Sequence, residues 1–317
     1  MTRAVDNRVI TPGRTEIPIV INGDMAIWQR GPALSSDSGN YACDRFWYAG
    51  TGATSQRSTD VPSGFVYSNK LTYGSADMSI GQPIELPATG KQGDLISGQT
   101  LTLAFYGKVD SGTEGIGTAI NFRNSKFSST DQQAFTISDS GVTLTTDWQR
   151  FTKTFTIPTV HANNIMAAFE INGISKTAYI TGVQVEVGDF NATTLPPFQF
   201  EAVGTSLVRC QRYFQKSYQQ SDVPGTATQL GSVWHEIGDS TSDFLSFSYN
   251  TQIEMRSSAS VTTFDLAGTS AKVSYSGSVN GKSGTIANAS PKGWRIHTDN
   301  STSKDALVYQ FTASAEL

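Results

Sequence analysis

The stretch Gly182–Ser217, GVQVEVGDFNATTLPPFQFEAVGTSLVRCQRYFQKS, contains three kinds of sequence in succession. Gly182–Gly188 reads as the closing strand of a β-rich unit. Asp189–Phe200, with Pro196 and Pro197, reads as a turn-rich connector. Glu201–Lys216 carries the helical pattern: Val203, Leu207, Cys210 and Phe214 recur at steps of four, three and four. Everything before this stretch reads as one β-domain and everything after it as another.

The bulk numbers agree. A chain of 317 residues is long enough for two cores. Charged residues make up 16%, below the roughly 25% usual in globular domains. Ser, Thr, Gly and Asn fill the difference, and they supply half-exposed strands and φ > 0 turns. A net charge of −4 without a Lys/Arg block argues against a nucleic-acid partner. The first twenty residues hold no apolar signal core, and no run of 18 apolar residues suggests membrane insertion. Cys43 and Cys210 stand far apart in apolar surroundings and read as buried thiols.

Along the chain, residues 1–18 lack periodicity and form either a flexible terminus or an arm for attachment to a larger assembly. Short strands are expected at Ile19–Ile21, Tyr41–Tyr48, Phe65–Tyr73, Ser79–Leu86, Leu101–Val109, Thr118–Phe122, Trp148–Ile157, Ile165–Ile171 and Ala178–Val187. Asn22-Gly23 marks a turn between the first two. In Trp148–Ile157 the Phe151, Phe155 and Ile157 face is expected to point inward. This spacing is that of a β-sandwich or jelly roll. Six further strands fall between Leu230 and Ala315, with Asn280-Gly281 as an expected type I′ hairpin turn. The fold class is therefore all-β: a jelly roll over 19–198, a helical connector over 199–217 and a smaller β-domain over 218–317.

Two roles are open for the Val203, Leu207, Cys210 and Phe214 stripe. It either covers the edge of its own domain or meets copies of itself at a symmetry axis. Two heptads are too short for an isolated coiled coil.

Catalytic patterns are scarce. His161, His235 and His297 are scattered without zinc spacing, and no GxSxG, P-loop or GxGxxG follows a strand. No carboxylate pair stands out for glycoside hydrolysis, so the chain is not expected to be an enzyme. Asn22, Asp24, Asp44 and Glu186 are the candidate ligands of a structural calcium, a hard cation that takes several oxygens. Sugars stack their C–H faces on aromatic rings, which directs attention to Trp28, Tyr41, Trp47, Tyr48, Tyr67 and Tyr73 in the first third. Tyr41, Trp47 and Tyr73 are the candidate ligand-binding residues, with core packing the competing role for each. Trp148, at a strand start, is assigned to the core.

The run Asn22-Gly-Asp-Met-Ala-Ile-Trp-Gln-Arg-Gly31 followed by Tyr41-Ala-Cys-Asp-Arg-Phe-Trp47 resembles the opening of β-domains in bacteriophage tail-fibre and related virion proteins. Leu101–Lys108 and Thr146–Phe151 are similar to their central strands. Gly182–Phe190, Pro197-Phe198 and Cys210–Phe214, in that order, are the most specific blocks. The resemblance covers roughly 19–216. It implies a jelly roll like those of carbohydrate-binding modules, a homotrimer with the helical stripe at its axis, and a place on the virion. The ligand it implies is a host surface glycan, and residues 1–18 would contact other virion proteins. A capsid decoration or head-fibre protein and a glycan-degrading enzyme are the alternatives.

Overall fold

The computed structural model describes residues 18–35, 40–85, 100–123, 135–156, 166–237, 244–276, 279–299 and 306–316. Residues 1–17, His161 and Ile157 lie outside that set. Twelve strands build two antiparallel sheets. The first contains β1 (Ala33–Ser35), β4 (Thr54–Ser58), β5 (Ser68–Thr72), β12 (Ala178–Val187), β7 (Thr100–Val109) and β10 (Gln149–Thr156), in that spatial order. The second contains β2 (Asn40–Tyr41), β3 (Trp47–Ala49), β6 (Met78–Glu85), β11 (Met166–Ile174), β8 (Glu114–Arg123) and β9 (Phe135–Leu144).

Period-two alternation explains how the sheets face each other. Leu101, Leu103, Phe105 and Val109 of β7 point inward beside Ile180, Val183 and Val185 of β12. Ile80, Ile116, Ile120 and Ile171 come from the other sheet. Phe155 is buried in this core and Phe151 packs against it, as the β10 pattern predicts. The all-β sandwich is thus the arrangement in which each sheet buries its apolar face.

Several local readings are corrected. Ile19–Ile21 forms bends rather than a strand. The amide of Gln82 accepts from Ile21 N and donates to Ile21 O, both at 2.7 Å, doing with a side chain what a neighbouring strand would do. Tyr41–Tyr48 is broken by a turn between β2 and β3. Asn280-Gly281 falls inside β18 (Val279–Ser290), at the irregular register where it pairs with β17 (Lys272–Tyr275). Gly281 keeps φ +75° there and donates its N–H to Asp265. A left-handed glycine serves a bulge as well as a hairpin.

The helix is shorter than expected. α1 spans Val203–Gln211 and is the one α-helix among the described residues. Phe214 is not helical; it opens β13 (Phe214–Lys216), already part of the C-terminal sheet. That sheet also contains β14 (Val233–Glu236), β15 (Phe244–Asn250), β16 (Ser260–Phe264), β17, β18, β19 (Gly293–Asp299) and β20 (Ala306–Ser314). Trp294, Ile296, Leu307, Tyr309 and Phe311 form its core.

A buried polar knot joins the two β-units. Arg45 and Arg30 both pair with Glu316, and Arg30 also reaches Asp44 at 3.5 Å. The Arg45 and Glu316 side chains are 1% and 2% exposed. Each guanidinium also lies over an aromatic ring of the connector, Arg45 over Tyr213 at 3.5 Å and Arg30 over Phe214 at 3.7 Å. Gln29 adds a bond from Nε2 to Phe214 O at 3.0 Å. Two cations and two carboxylates balance, which is the condition for burying charge at acceptable cost. Cys43 and Cys210 are both buried and free, and burial pushes both thiols well above their ordinary pKa.

Candidate functional site

The outward face of the first sheet carries a different set of residues. On β7 the positions between the core residues are Thr102, Ala104, Tyr106 and Lys108. On β12 they are Tyr179, Thr181, Gln184 and Glu186, with a bulge between Thr181 and Gln184. Register places Lys70, Tyr179 and Lys108 in one row across three strands, and Thr181, Tyr106 and Arg150 in the next.

Trp148 completes the first row from the start of β10. Its ring stands edge-on to Tyr179, centroids 6.4 Å apart at 70°. The Lys108 ammonium lies 5.1 Å from the Tyr179 centroid and 5.9 Å from that of Trp148. Asp60 holds both partners in place: Lys108 Nζ donates to Oδ2 at 2.6 Å and Trp148 Nε1–H to Oδ1 at 2.9 Å. The result is a half-exposed aromatic pair with a locked orientation. An ionised carboxylate has about four acceptor positions and an ammonium three donors. Asp60 and Lys108 therefore retain hydrogen-bonding capacity after binding each other. Rings for C–H faces and charged groups for hydroxyls form the chemistry of sugar recognition.

Burial alone would raise the Asp60 pKa, but hydrogen bonds from Lys108 and Trp148 and the Lys108 charge bring it below its ordinary value. A carboxylate with a lowered folded pKa contributes order that is present above its unfolded pKa and lost as pH falls through the folded one. Ligand binding is therefore expected to be flat from pH 7 down to pH 5. It should collapse below about pH 3.8, and Asp60→Asn should remove that acid transition. Binding isotherms across this range check both.

The connector Asp189–Phe200 covers the other half of the face. Arg150 Nη2 and Gln184 Nε2 donate to Pro196 O at 2.9 and 3.3 Å. Phe190 N donates to Thr102 Oγ1, and Thr154 Oγ1 to Asp189 Oδ1. Phe65 fills the boundary, its ring 5.3 Å from Tyr106, 5.1 Å from Phe198 and 5.0 Å from Phe200. Among the described residues, the Tyr179–Trp148 end of the face, beyond the connector, stays open to solvent.

Gly182 is essential to this packing. It sits at φ +60°, and a Cβ there would lie 2.7 Å from Phe65 and 2.8 Å from Tyr106. Gly182→Ala adds a left-handed penalty to an overpacking one, so a loss on the order of 2–4 kcal/mol in unfolding free energy is expected by denaturant titration.

The aromatic candidates do not form one surface. Tyr41 and Trp47 are 7% and 6% exposed, held by β2 and β3 of the second sheet, and so cannot offer a ring face. Burial raises the Tyr41 hydroxyl pKa, and the Glu316 charge adds to it. Tyr73, at 37%, does reach the surface, just after β5. Trp148, assigned to the core from its position, is instead half-exposed on the outer face. Parity carried the signal: Trp148 shares its side of β10 with Arg150, Thr152 and Thr154, opposite Phe151 and Phe155.

The four calcium candidates also separate. Asn22 is a turn residue at φ +60° whose Oδ1 accepts Ile27 N and whose Nδ2 reaches Ile27 O and Asp44 O. The Asp44 carboxylate accepts from Gln29 N and Gln29 Nε2 and faces Arg30. Asp24 and Glu186 line a cavity beside α1. Among the described residues no group of three or more His, Cys, Asp or Glu is placed to hold a metal. These residues do not fit the expected calcium ligand set, because protein donors already occupy two of them.

Within the oligomerisation stripe, Cys210 and Phe214 are 0% and 5% exposed, consumed by the chain's own packing. Val203 is 64% exposed, and Leu207 is half-buried. Val208, outside the expected stripe, is 46% exposed.

No family model matches the chain, and no curated protein matches it. Among solved structures, it is similar to the enzymatically active domain of bacteriophage CBA120 tailspike protein 4 at 19% identity and a TM-score of 0.36, over 54% of this chain and 22% of that one. It is similar to the CBM22-1 xylan-binding domain of Paenibacillus barcinonensis Xyn10C at 11% identity and a TM-score of 0.34, over 51% and 99%. A family 16 carbohydrate-binding module gives 15% identity and a TM-score of 0.30, over 41% and 84%. The chain thus spans about a fifth of the tailspike domain's length. At these distances none of the three assigns it to a family.

Proposed function

We propose that this chain is a non-catalytic, glycan-binding virion protein that acts as a homotrimer. The observation that carries the glycan reading is the Tyr179–Trp148 pair on the open end of the first sheet, locked by Asp60 and flanked by Lys108 and Lys70. The virion reading rests on the sequence blocks from Asn22 to Phe214. Trimerisation is supported by Val203 and Val208 of α1, apolar residues that are exposed among the described residues. Weak sites on three protomers gain roughly 10²–10⁴ in avidity when geometry lets them engage together.

The intact protein is expected to retain host-type surface polysaccharides on a glycan array and to bind whole cells. Blank results in both assays would remove the glycan reading. For the oligomer, native mass measurement at micromolar concentration is expected to give three copies. Val203→Asp combined with Val208→Asp should give a monomer with its melting temperature nearly unchanged, since both positions are exposed within one chain. A native chain that is already monomeric contradicts the trimer.

A further inference from the structure

One register row crosses the whole outer face of the first sheet. Ala33 of β1 stands opposite Gln56 of β4, Gln56 opposite Lys70 of β5, and Lys70 opposite Tyr179 of β12. Tyr179 stands opposite Lys108 of β7, and Trp148 closes the row beside Lys108. From Gln56 to Trp148 the row crosses four strand spacings, about 19 Å. Its two halves differ in charge. Lys108 is neutralised by Asp60, which also takes the Trp148 N–H. Lys70 makes no ion pair among the described residues. The strands around it, β1, β4 and β5, contain neither Asp nor Glu. Asp110, in the adjoining row just past β7, is two strands away from Lys70. That is about 10 Å, beyond the screening length of about 8 Å at physiological salt. The Lys70 ammonium lies 5.8 Å from the Tyr179 centroid, and its neighbour Gln56 is exposed.

We propose that Lys70 and Gln56 form a second subsite, which seats a carboxylate-bearing sugar of a linear acidic polysaccharide beside the unit stacked on Tyr179 and Trp148. The inference rests on the glycan reading of that aromatic pair. An ammonium offers three N–H donors and no acceptor, and the Gln56 amide adds two donors next to it. A neutral hydroxyl is served equally well by Asp60 and Lys108 at the other end of the row. An ionised carboxylate gains most from the cation that lacks a counter-ion, because charge-assisted hydrogen bonds are roughly twice as strong as neutral ones. Register also sets the direction of the ligand. A chain lying across the strands meets the ring pair and then Lys70 in succession, whereas a single terminal sugar on the rings reaches neither Lys70 nor Gln56.

The test is the affinity of the intact protein for polygalacturonate, alginate, hyaluronan and colominic acid. Each is measured beside its carboxyl-reduced counterpart, in which the carboxylates have become primary alcohols, and dextran and mannan serve as neutral polymers. At least one acidic polymer is expected to bind at least tenfold more tightly than its reduced counterpart. Lys70→Met keeps most of the stem and removes the charge, so it should weaken that polymer at least fivefold and leave the reduced one within twofold. Gln56→Ala should weaken it two- to fivefold. Both positions lie on the outer face, so melting temperatures should stay nearly unchanged. Lys292→Met, at an exposed lysine of the C-terminal unit, should leave every affinity as it was. Equal binding of acidic and reduced polymers, tighter binding of dextran or mannan, or equal losses from Lys70→Met and Lys292→Met would each overturn the proposal and leave the Tyr179–Trp148 site standing. Silence from every polymer overturns it too, and the glycan array then decides whether the glycan reading falls with it.

Discussion

Trp148→Ala is expected to abolish detectable glycan binding by the single site while leaving the fold in place. Trp residues at the centre of a recognition surface commonly contribute about 2 kcal/mol or more, which is roughly a 30-fold loss of affinity. Here the indole is half-exposed, so its removal leaves no large cavity, and a stability change within about 1 kcal/mol is expected. The variant also releases one Asp60 oxygen, but Lys108 still occupies the other. Trp148→Phe separates the two contributions. It keeps a ring for stacking and loses the Nε1 bond to Asp60, so an intermediate affinity is expected. Isothermal titration against an array-positive polysaccharide measures all three proteins, with melting curves as the control.

The second large effect concerns the knot between the two β-units. Glu316→Ala leaves Arg45 buried at 1% exposure with its carboxylate partner gone. Arg30 is left with Asp44 alone. Removing one partner of a buried pair typically costs about 3–5 kcal/mol, because the remaining charge keeps its desolvation penalty. Urea unfolding should show that loss, and the transition should broaden or split as the two cores uncouple. The apolar double variant Arg45→Met with Glu316→Leu is the informative contrast. If the pair acts by balanced charge, replacing both members should recover most of the stability lost by the single change. If the double variant is as unstable as Glu316→Ala, the knot acts through the Arg45 bond to Pro83 O and its stacking on Tyr213 instead.

The architecture was legible where periodicity was strong. Leu101–Val109 and Ala178–Val187 alternate cleanly, and they became the adjacent β7 and β12 at the centre of the first sheet. β9, FTISDSGVTL, was missed because Ser, Asp and Gly in its middle erase the apolar alternation that marks a strand. Ile19–Ile21 shows the opposite failure: an apolar triplet whose partner turned out to be the Gln82 side chain rather than a strand. Helix length was overread because Cys210 and Phe214 are both buried, one from α1 and the other from β13. A shared burial requirement mimicked a shared helical face.

The binding face was only half legible. Parity along β10 puts Trp148 on the side of Arg150 and Thr152, opposite the inward Phe151 and Phe155, but its place at a strand start reads as core and that signal goes unused. Its partner Tyr179 lies far along the chain, and only strand register brings Lys70, Tyr179 and Lys108 into one row. The role of Asp189–Phe200 could not be read from composition. A turn-rich segment reads as a linker, yet here it folds back over Thr102, Arg150 and Gln184 and covers part of the sheet's outer face. Its two prolines fit that role, since Pro196 offers a carbonyl to Arg150 and Gln184 without needing a strand partner for an N–H.

Five tryptophans make the central claim directly measurable. Trp28, Trp47 and Trp294 are buried, Trp148 lies in the proposed site, and Trp234 is 52% exposed in the C-terminal unit. The indole N–H signals of the ¹⁵N-labelled intact protein, recorded during titration with an array-positive polysaccharide fragment, distinguish these positions. The Trp148 signal is expected to shift with saturation while that of Trp234 stays fixed. A saturating shift at Trp234 with Trp148 unmoved would place glycan recognition in the other domain and contradict the account.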